Sequence, residues 1–157
     1  MYDIELVTSK GETDCGAACM AMLLKYYGTD IPLDELIEEC GCRIGGCSGK
    51  DLLRVGRAHN LDMLAFRMDA DELRLQDRPG IIWWCYNHWV VMCGMDDNGN
   101  VVIANPSRGR YGLDKESFSK LYTGVCLFNG EPETLPEQEN ATAQDYEAAL
   151  GQLGVNL

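Results

Sequence analysis

The chain has 157 residues, of which 46% are hydrophobic and 24% are charged, and its formal net charge is −12. This length and composition are typical of one globular domain with a buried core. The negative charge argues against nucleic acid as a partner, because phosphate backbones are bound by basic surfaces. The sequence shows no apolar run long enough to cross a bilayer and no secretion signal, so we expect a cytoplasmic location. Most of the eight cysteines are then expected to be reduced thiols.

The first strong signal is a buried helix that begins next to a cysteine. Asp14 is a residue type that favours a helix N-cap and Gly28 one that ends a helix, while the stretch between them carries one charge, Lys25. Cys15 then lies in the first turn, where unpaired backbone N–H groups and the helix dipole favour the thiolate. This placement suits a nucleophile. A small buried cysteine explains the same pattern equally well.

The remaining elements are predicted in chain order from their hydrophobic periodicity. The first half of the chain predicts a short strand at 2–7, helices at 33–39 and 48–59, a strand at 62–66 and a weakly helical connection at 69–77. The second half predicts strands at 81–85, 88–94, 101–105 and 124–128, with a short helix at 114–121. A helical half is thus followed by an antiparallel sheet half, which predicts an α+β fold with a cleft between the halves.

Three cysteines lie close together in a glycine-rich loop, at Cys40, Cys42 and Cys47. Their grouping suggests a metal site, but the spacing C-x-C-x4-C has no fourth nearby ligand and matches no common zinc pattern. We therefore expect no metal and no cofactor.

A histidine and an asparagine at strand ends offer partners for the cysteine. His88 starts a predicted strand directly after a turn, and Asn105 ends the next strand, so an antiparallel hairpin brings the two together. An imidazole can take the thiol proton and later deliver it to a leaving amine, while an asparagine oxygen can accept the other ring N–H. The alternatives are a half-buried structural histidine and an ordinary turn residue before Pro106. The other histidine, His59, ends a helix, where the dipole favours a cation.

Three stretches also resemble a known family: Asp14-Cys15-Gly16-Ala17-Ala18-Cys19, His88-Trp89-Val90-Val91-Met92 and Asn105-Pro106-Ser107-Arg108-Gly109. They look like the bacteriocin-processing cysteine peptidases, and the resemblance covers about residues 1–130. Members of this family are papain-like domains that cut leader peptides after a double glycine, commonly as the N-terminal domain of a peptidase-containing ABC transporter. The resemblance implies a papain-like fold and, as partners, a leader peptide and the membrane and nucleotide-binding domains of such a transporter. The location is then the cytoplasm or the cytoplasmic face of the membrane.

The resemblance implies a role for individual residues. Cys15 matches the nucleophile, His88 the base, and Asn105 the position where the family commonly has aspartate. The oxyanion-hole glutamine of the family stands six residues before the cysteine, where this chain has Ser9. The Ser9 hydroxyl and the Cys15 backbone N–H are the donors that we expect in its place, and loss of a preorganised donor typically costs about 100- to 1,000-fold in rate.

A cleft that accepts two glycines before the scissile bond is narrow, and we expect bulky side chains around His88 to form its walls. Trp84, Tyr86 and Trp89 are the predicted substrate contacts, and a place in the core is the alternative, because their spacing also fits a sheet. Leader recognition in the family uses an amphipathic helix in an apolar groove. Because this chain is acidic, we expect apolar anchors rather than charge attraction to bind the leader.

The end of the chain lies outside the resemblance. Residues 131–157 contain six carboxylates and no Lys or Arg, and they predict an acidic linker or tail with a short helix at 142–153. The expected function is that of a cysteine endopeptidase that cleaves leader peptides after a double-glycine site. The alternatives are a papain-like domain that binds such peptides with weak or no catalysis, and a related acyl-transfer enzyme.

Overall fold

The computed structural model describes residues 1–42 and 46–131. Its helices are α1 (Cys15–Tyr26), α2 (Leu33–Cys40), α3 (Gly49–Ala58), α4 (Ala70–Arg74) and α5 (Lys115–Leu121). Its strands are β1 (Met63–Arg67), β2 (Gly80–Trp84), β3 (His88–Met95), β4 (Val101–Asn105), β5 (Gly109–Leu113) and β6 (Tyr122–Asn129). Three helices precede an antiparallel sheet, so the predicted α+β class is confirmed.

The sheet has six antiparallel strands in the order β1-β6-β2-β3-β4-β5. In the β2–β3 hairpin Trp84 pairs with His88, and in the β4–β5 hairpin Asn105 pairs with Gly109. Tyr122, at the start of β6, also pairs with Trp84. The two hairpin turns and the start of β6 therefore meet at one end of the sheet, which we call the turn end.

The core forms where α1 packs on β3. Every residue of α1 from Cys15 to Leu24 is buried, and so are the six central residues of β3. The helix is covered on its other sides by α2 and α3. Because α1 is apolar and almost completely buried, close packing holds its first turn in a fixed position against the sheet.

The N-cap of α1 differs in detail from the prediction. Asp14 occupies the cap position, but its side chain makes no capping hydrogen bond. Its backbone has φ −107° and ψ 16° rather than the extended conformation typical of a cap, and its carboxylate accepts the N–H groups of Lys10 at 2.7 Å and Gly11 at 2.9 Å. The carboxylate thus ties the preceding loop to the helix and leaves the first-turn N–H groups free for another acceptor.

Two predictions of strands need correction. Residues 2–7 do not form a strand: Tyr2 donates its N–H to the carbonyl of Cys93 at 2.7 Å, but Ile4 then bonds back to the carbonyl of Tyr2 at 3.0 Å and the chain turns away. Strand β5 was not predicted, because it contains two glycines and no β-branched residue, and it forms an edge of the sheet. The other predicted elements are confirmed, with ends that shift by one or a few residues.

The structure joins Cys42 and Cys47 in a disulfide and leaves the other six cysteines free, as expected for most of them. Within residues 1–42 and 46–131 there is no cluster of three side chains able to hold a metal ion. No helix in the same ranges has the length and apolar character needed to cross a membrane. The tail helix predicted at 142–153 lies outside the described residues.

Candidate active site

Cys15 lies at the first position of α1, against the start of β3. Backbone N–H groups of Trp89, Gly16 and Cys15 itself lie close enough to its sulfur to lower the pKa of the thiol. Gly16 allows this close packing, since a methyl group added there would lie 3.2 Å from both the Cβ atom of Cys47 and the Cδ1 atom of Trp89. Trp89, whose backbone N–H is one of these groups, directly follows His88 in the chain. The predicted nucleophile and base are therefore brought to the same end of the sheet.

The surroundings of the Cys15 thiol act against the thiolate that the helix position predicts. Burial raises its pKa above the ordinary value of 9.0, and the Asp14 carboxylate acts in the same direction, while the backbone N–H groups lower it. The thiol is 8% exposed, and the loss of hydration outweighs the hydrogen bonds at the helix start. Burial at the start of α1 therefore opposes the thiolate that the helix position alone favours.

His88 and Asn105 are in direct contact, as the hairpin geometry predicts. The Nε2 atom of His88 lies 2.8 Å from the Oδ1 atom of Asn105. An amide oxygen only accepts hydrogen bonds, so Nε2 carries the proton in this contact, and in the neutral imidazole Nδ1 is then free to accept one. This is the tautomer that a general base requires.

The orientation of Asn105 is fixed from three sides. Its side chain is 3% exposed, and Oδ1 also accepts the backbone N–H of Ser107 at 2.9 Å. The Nδ2 group donates to the hydroxyl of Tyr111 at 3.0 Å. Since each amide atom has a partner of the matching kind, the oxygen faces His88. Tyr111 was missed from the sequence, because it lies on the unpredicted strand β5.

The turn before His88 is also specialised. Cys85 and Tyr86 have φ values of +55° and +58°, and Asn87 donates its N–H to the carbonyl of Trp84 at 3.2 Å. Such left-handed backbone at non-glycine residues costs on the order of 1 kcal/mol or more each and persists only where the surroundings enforce it. Here the N–H of Cys85 is bonded to the carbonyl of Leu121 at 2.9 Å, which anchors the turn to the end of α5.

Ser9, the residue in the predicted oxyanion-hole position, lies beside the β4–β5 turn. Its N–H is bonded to the carbonyl of Pro106 at 3.0 Å, and its hydroxyl donates to the same carbonyl at 3.3 Å. The N-terminal segment is thereby attached next to Asn105. The hydroxyl proton is used in this contact, so Ser9 provides no free donor in the resting site.

The three predicted substrate contacts have different surroundings. Trp84 lines a cavity together with His88 and Asn105. Tyr86 is 65% exposed at the tip of the turn and is absent from the lining of that cavity. Trp89 is 1% exposed, and its indole N–H donates to the carbonyl of Cys47 at 3.1 Å. The side chain of Trp89 therefore belongs to the core, because it alternates with His88 along β3 toward the helical half, and its prediction as a substrate contact is wrong.

The cavity opens at the turn end of the sheet and has a volume of about 510 Å³. This size is within the range of ligand pockets. Its lining consists of Trp84, Cys85, Asn87, His88, Asn105, Ser107, Arg108, Tyr111 and Leu121. A polar cavity thus adjoins the imidazole on the sheet side of the molecule.

Comparison with known proteins agrees with this geometry. The model of the peptidase C39 family matches residues 3–134, which is most of the chain. The chain belongs to the peptidase C39 family. The predicted resemblance to bacteriocin-processing cysteine peptidases, the papain-like fold and the class of cysteine peptidase are confirmed by this match and by the relatives.

Among curated relatives, the lactococcin-G-processing and transport ATP-binding protein LagD of Lactococcus lactis is 32% identical over 130 residues. That alignment covers 79% of this chain and 18% of LagD, so the chain spans about a fifth of the length of that relative. An uncharacterised protein of Methanothermobacter thermautotrophicus is 27% identical over 130 residues, which are 83% of this chain and 91% of that protein. The relatives thus include both a long transport protein and a protein of about this size.

Among solved structures, a double glycine motif protease from an AMS/PCAT transporter, in complex with the leader peptide, is similar in fold and sequence. The TM-score is 0.77 and the identity 29%, and the match covers 80% of this chain and 90% of that one.

Proposed function

We propose that this chain is a cysteine endopeptidase that cleaves leader peptides after a double-glycine site, with Cys15 as nucleophile, His88 as base and Asn105 as the residue that orients the imidazole. The observation that supports this most strongly is the 2.8 Å contact between His88 Nε2 and Asn105 Oδ1, next to Trp89, whose backbone N–H lowers the pKa of the Cys15 thiol. Residues 1–130 form the peptidase domain in this proposal, and residues 131–157 form a tail.

The reaction begins with a proton transfer. Nδ1 of His88 takes the thiol proton of Cys15 as the sulfur attacks the carbonyl carbon of the second glycine, and the hydrogen bond from Nε2 to Asn105 stabilises the imidazolium. The carbon–nitrogen bond then breaks, and the imidazolium gives its proton to the departing amine. Water, deprotonated by the same imidazole, hydrolyses the thioester and releases the leader carboxylate. The thiol is restored when the proton returns.

The relatives support the class of substrate and the partners. The solved double glycine motif protease binds a leader peptide, and LagD is a processing and transport protein. We therefore propose the leader of a precursor peptide as substrate and a cytoplasmic site of action. For a chain attached to a transporter, the membrane and nucleotide-binding domains are the further partners.

The test is a cleavage assay with synthetic peptides that contain a double glycine. Mass spectrometry of the products of the full chain should show one cut after the second glycine. The Cys15→Ala variant should lose this cut, and Cys19→Ala, the same change one helical turn further along α1, should keep it. Cleavage that is absent, or that survives in Cys15→Ala, contradicts the proposal.

One observation favours a second candidate. The Ser9 hydroxyl is bonded to the carbonyl of Pro106 and does not provide the donor that the glutamine of the family supplies. A domain that binds leader peptides with little catalysis would have this feature. Binding and cleavage assays with leader peptides distinguish this candidate from the peptidase. A binding domain would bind the peptides equally well as wild type and as Cys15→Ala, and neither protein would cut them.

A further inference from the structure

The cavity beside His88 has an unusual charge for this protein. The chain carries a net charge of −12, yet the cavity lining contains no Asp or Glu among the described residues. It contains one full cation, the guanidinium of Arg108, at a rim that also includes Ser107 and Asn87. Trp84 and Leu121 supply apolar walls. Such a site suits a short aliphatic side chain that ends in an acidic group.

Arg108 is held by the same turn that positions Asn105. Its backbone N–H is bonded to the carbonyl of Asn105 at 3.1 Å, and Gly109, with φ +91°, completes the turn. Within residues 1–42 and 46–131 its guanidinium has no hydrogen-bond or ion-pair partner, whereas Arg54 and Arg78 contact neighbouring aspartates. The backbone of Arg108 is therefore fixed relative to the site while its charged group remains available to a ligand.

The position of His88 indicates which part of a substrate enters the cavity. The imidazole must reach the nitrogen of the departing amine to deliver its proton, so it faces the residues that follow the scissile bond. The cavity includes His88 in its wall and contains no residue of α1, where the nucleophile lies. We therefore assign a substrate segment in the cavity to the departing side of the bond.

We infer that Arg108 makes this cavity a subsite for an acidic side chain, an Asp or Glu within the first two residues after the scissile bond. This inference rests on the proposed peptidase function and adds a specificity for the released peptide. His88 and Arg108 line the same cavity, so a substrate residue that follows the bond near the imidazole reaches the surroundings of the guanidinium. Arg108 is a specificity-determining residue in this account, since its guanidinium pairs with the carboxylate of the substrate.

The experiment compares cleavage of three peptides with one leader half and a double glycine, followed by Glu, Gln or Lys at both of the next two positions. The full chain should cleave the Glu peptide with a kcat/KM about fivefold or more above the Gln peptide, because a partly exposed charge-assisted hydrogen bond is worth about that factor. Arg108→Glu should reverse the order and favour the Lys peptide.

A matched control separates local from general charge effects. Arg110→Glu makes the same charge change two residues away, on a side chain that lines a different pocket with Glu5 and Lys25. It should keep the preference for the Glu peptide. Equal kcat/KM for the three peptides, or the same preference in Arg108→Glu as in the wild type, would overturn the inference.

A further control distinguishes the loss of the Arg108 subsite from the loss of peptidase activity as a whole. A peptide chloromethyl ketone that ends in Gly-Gly has no residues after the reacting carbon, so its reaction with Cys15 does not involve the cavity. Alkylation of Cys15 at the same rate in wild type and Arg108→Glu shows an intact peptidase site. A missing Cys15 adduct in both proteins would instead count against the peptidase itself.

Discussion

The start of α1 and the turn end of the sheet contribute the two halves of the candidate site, and they are built in different ways. Cys15 is 8% exposed and belongs to the hydrophobic core at the start of α1. His88 and Asn105 lie at strand ends beside an open cavity, and their positions depend on hairpin turns and on side-chain hydrogen bonds. Packing fixes the nucleophile, whereas a polar network fixes the base.

Two free cysteines, Cys15 and Cys85, show the same difference between the two regions. Cys85 is exposed at the β2–β3 turn, while Cys15 is buried and its pKa is raised by that burial. Exposure therefore favours Cys85 for any small electrophile. Cys15 has an advantage only for a reagent that places its reactive carbon between the helix start and the imidazole. The structure thus predicts low general reactivity and high substrate-dependent reactivity at Cys15.

The largest effect is expected from removal of the base. His88→Ala should lower kcat for a double-glycine peptide by about 1,000-fold, because a positioned general base contributes about 100- to 10,000-fold. The matched control is His59→Ala, since His59 caps the end of α3 and contacts Glu39 at 2.6 Å, away from the site. The measurement is steady-state cleavage by both variants. Similar losses of kcat in both variants would show that the substitutions impair folding rather than catalysis.

The next effect comes from the residue that orients the imidazole. Asn105→Ala removes the acceptor of the His88 Nε2–H and should lower kcat by about 10- to 100-fold, with a small change in KM. Asn105→Asp keeps an acceptor at this position and should retain most of the activity. Initial rates over a range of peptide concentrations separate kcat from KM. A large rise in KM without loss of kcat would contradict an orienting role.

A smaller effect is expected from Tyr111, whose hydroxyl is bonded to the Asn105 side chain. Tyr111→Phe removes the hydroxyl that accepts the Nδ2 group of Asn105 and should lower kcat by about two- to tenfold, the value of one net hydrogen bond. The pH profile of kcat should also shift, because a less constrained Asn105 stabilises the imidazolium less well. Tyr26→Phe, on an exposed tyrosine of α1, is the control and should leave the pH profile as it is. An unchanged profile in Tyr111→Phe would limit this tyrosine to a structural role.

The smallest effect is expected in the pH dependence of Cys15 alkylation in the absence of substrate. Because burial raises the pKa of Cys15 above 9.0, its thiolate fraction is low near about pH 7 and grows as the pH rises. Alkylation of Cys15 by iodoacetamide, followed by peptide mapping, should therefore accelerate with pH without a plateau near neutrality. The exposed Cys85 should be modified faster near neutral pH. A Cys15 rate that is constant from about pH 6 to about pH 8 would indicate a preformed thiolate.

Much of this arrangement follows from local sequence signals. The buried helix after Asp14 and the strands around His88 and Asn105 have strong periodicity, and the hairpin rule alone brings the last two residues together. The raised pKa of Cys15 could not be predicted in the same way, because it depends on how deeply the first turn of α1 is packed. Tyr111 was missed as a site residue since β5 has two glycines and no β-branched residue and is specified by its pairing with β4, and Arg108 lies in the turn before that strand.

The most direct test of the central claim is a competition between thiols for one reagent. A peptide chloromethyl ketone that ends in Gly-Gly is added to the full chain, and the modified cysteine is identified by peptide mapping. We predict that Cys15 is alkylated first, ahead of the exposed Cys85, and that this order is lost in His88→Ala. Alkylation that favours Cys85, or Cys15 labelling that does not depend on His88, would contradict it.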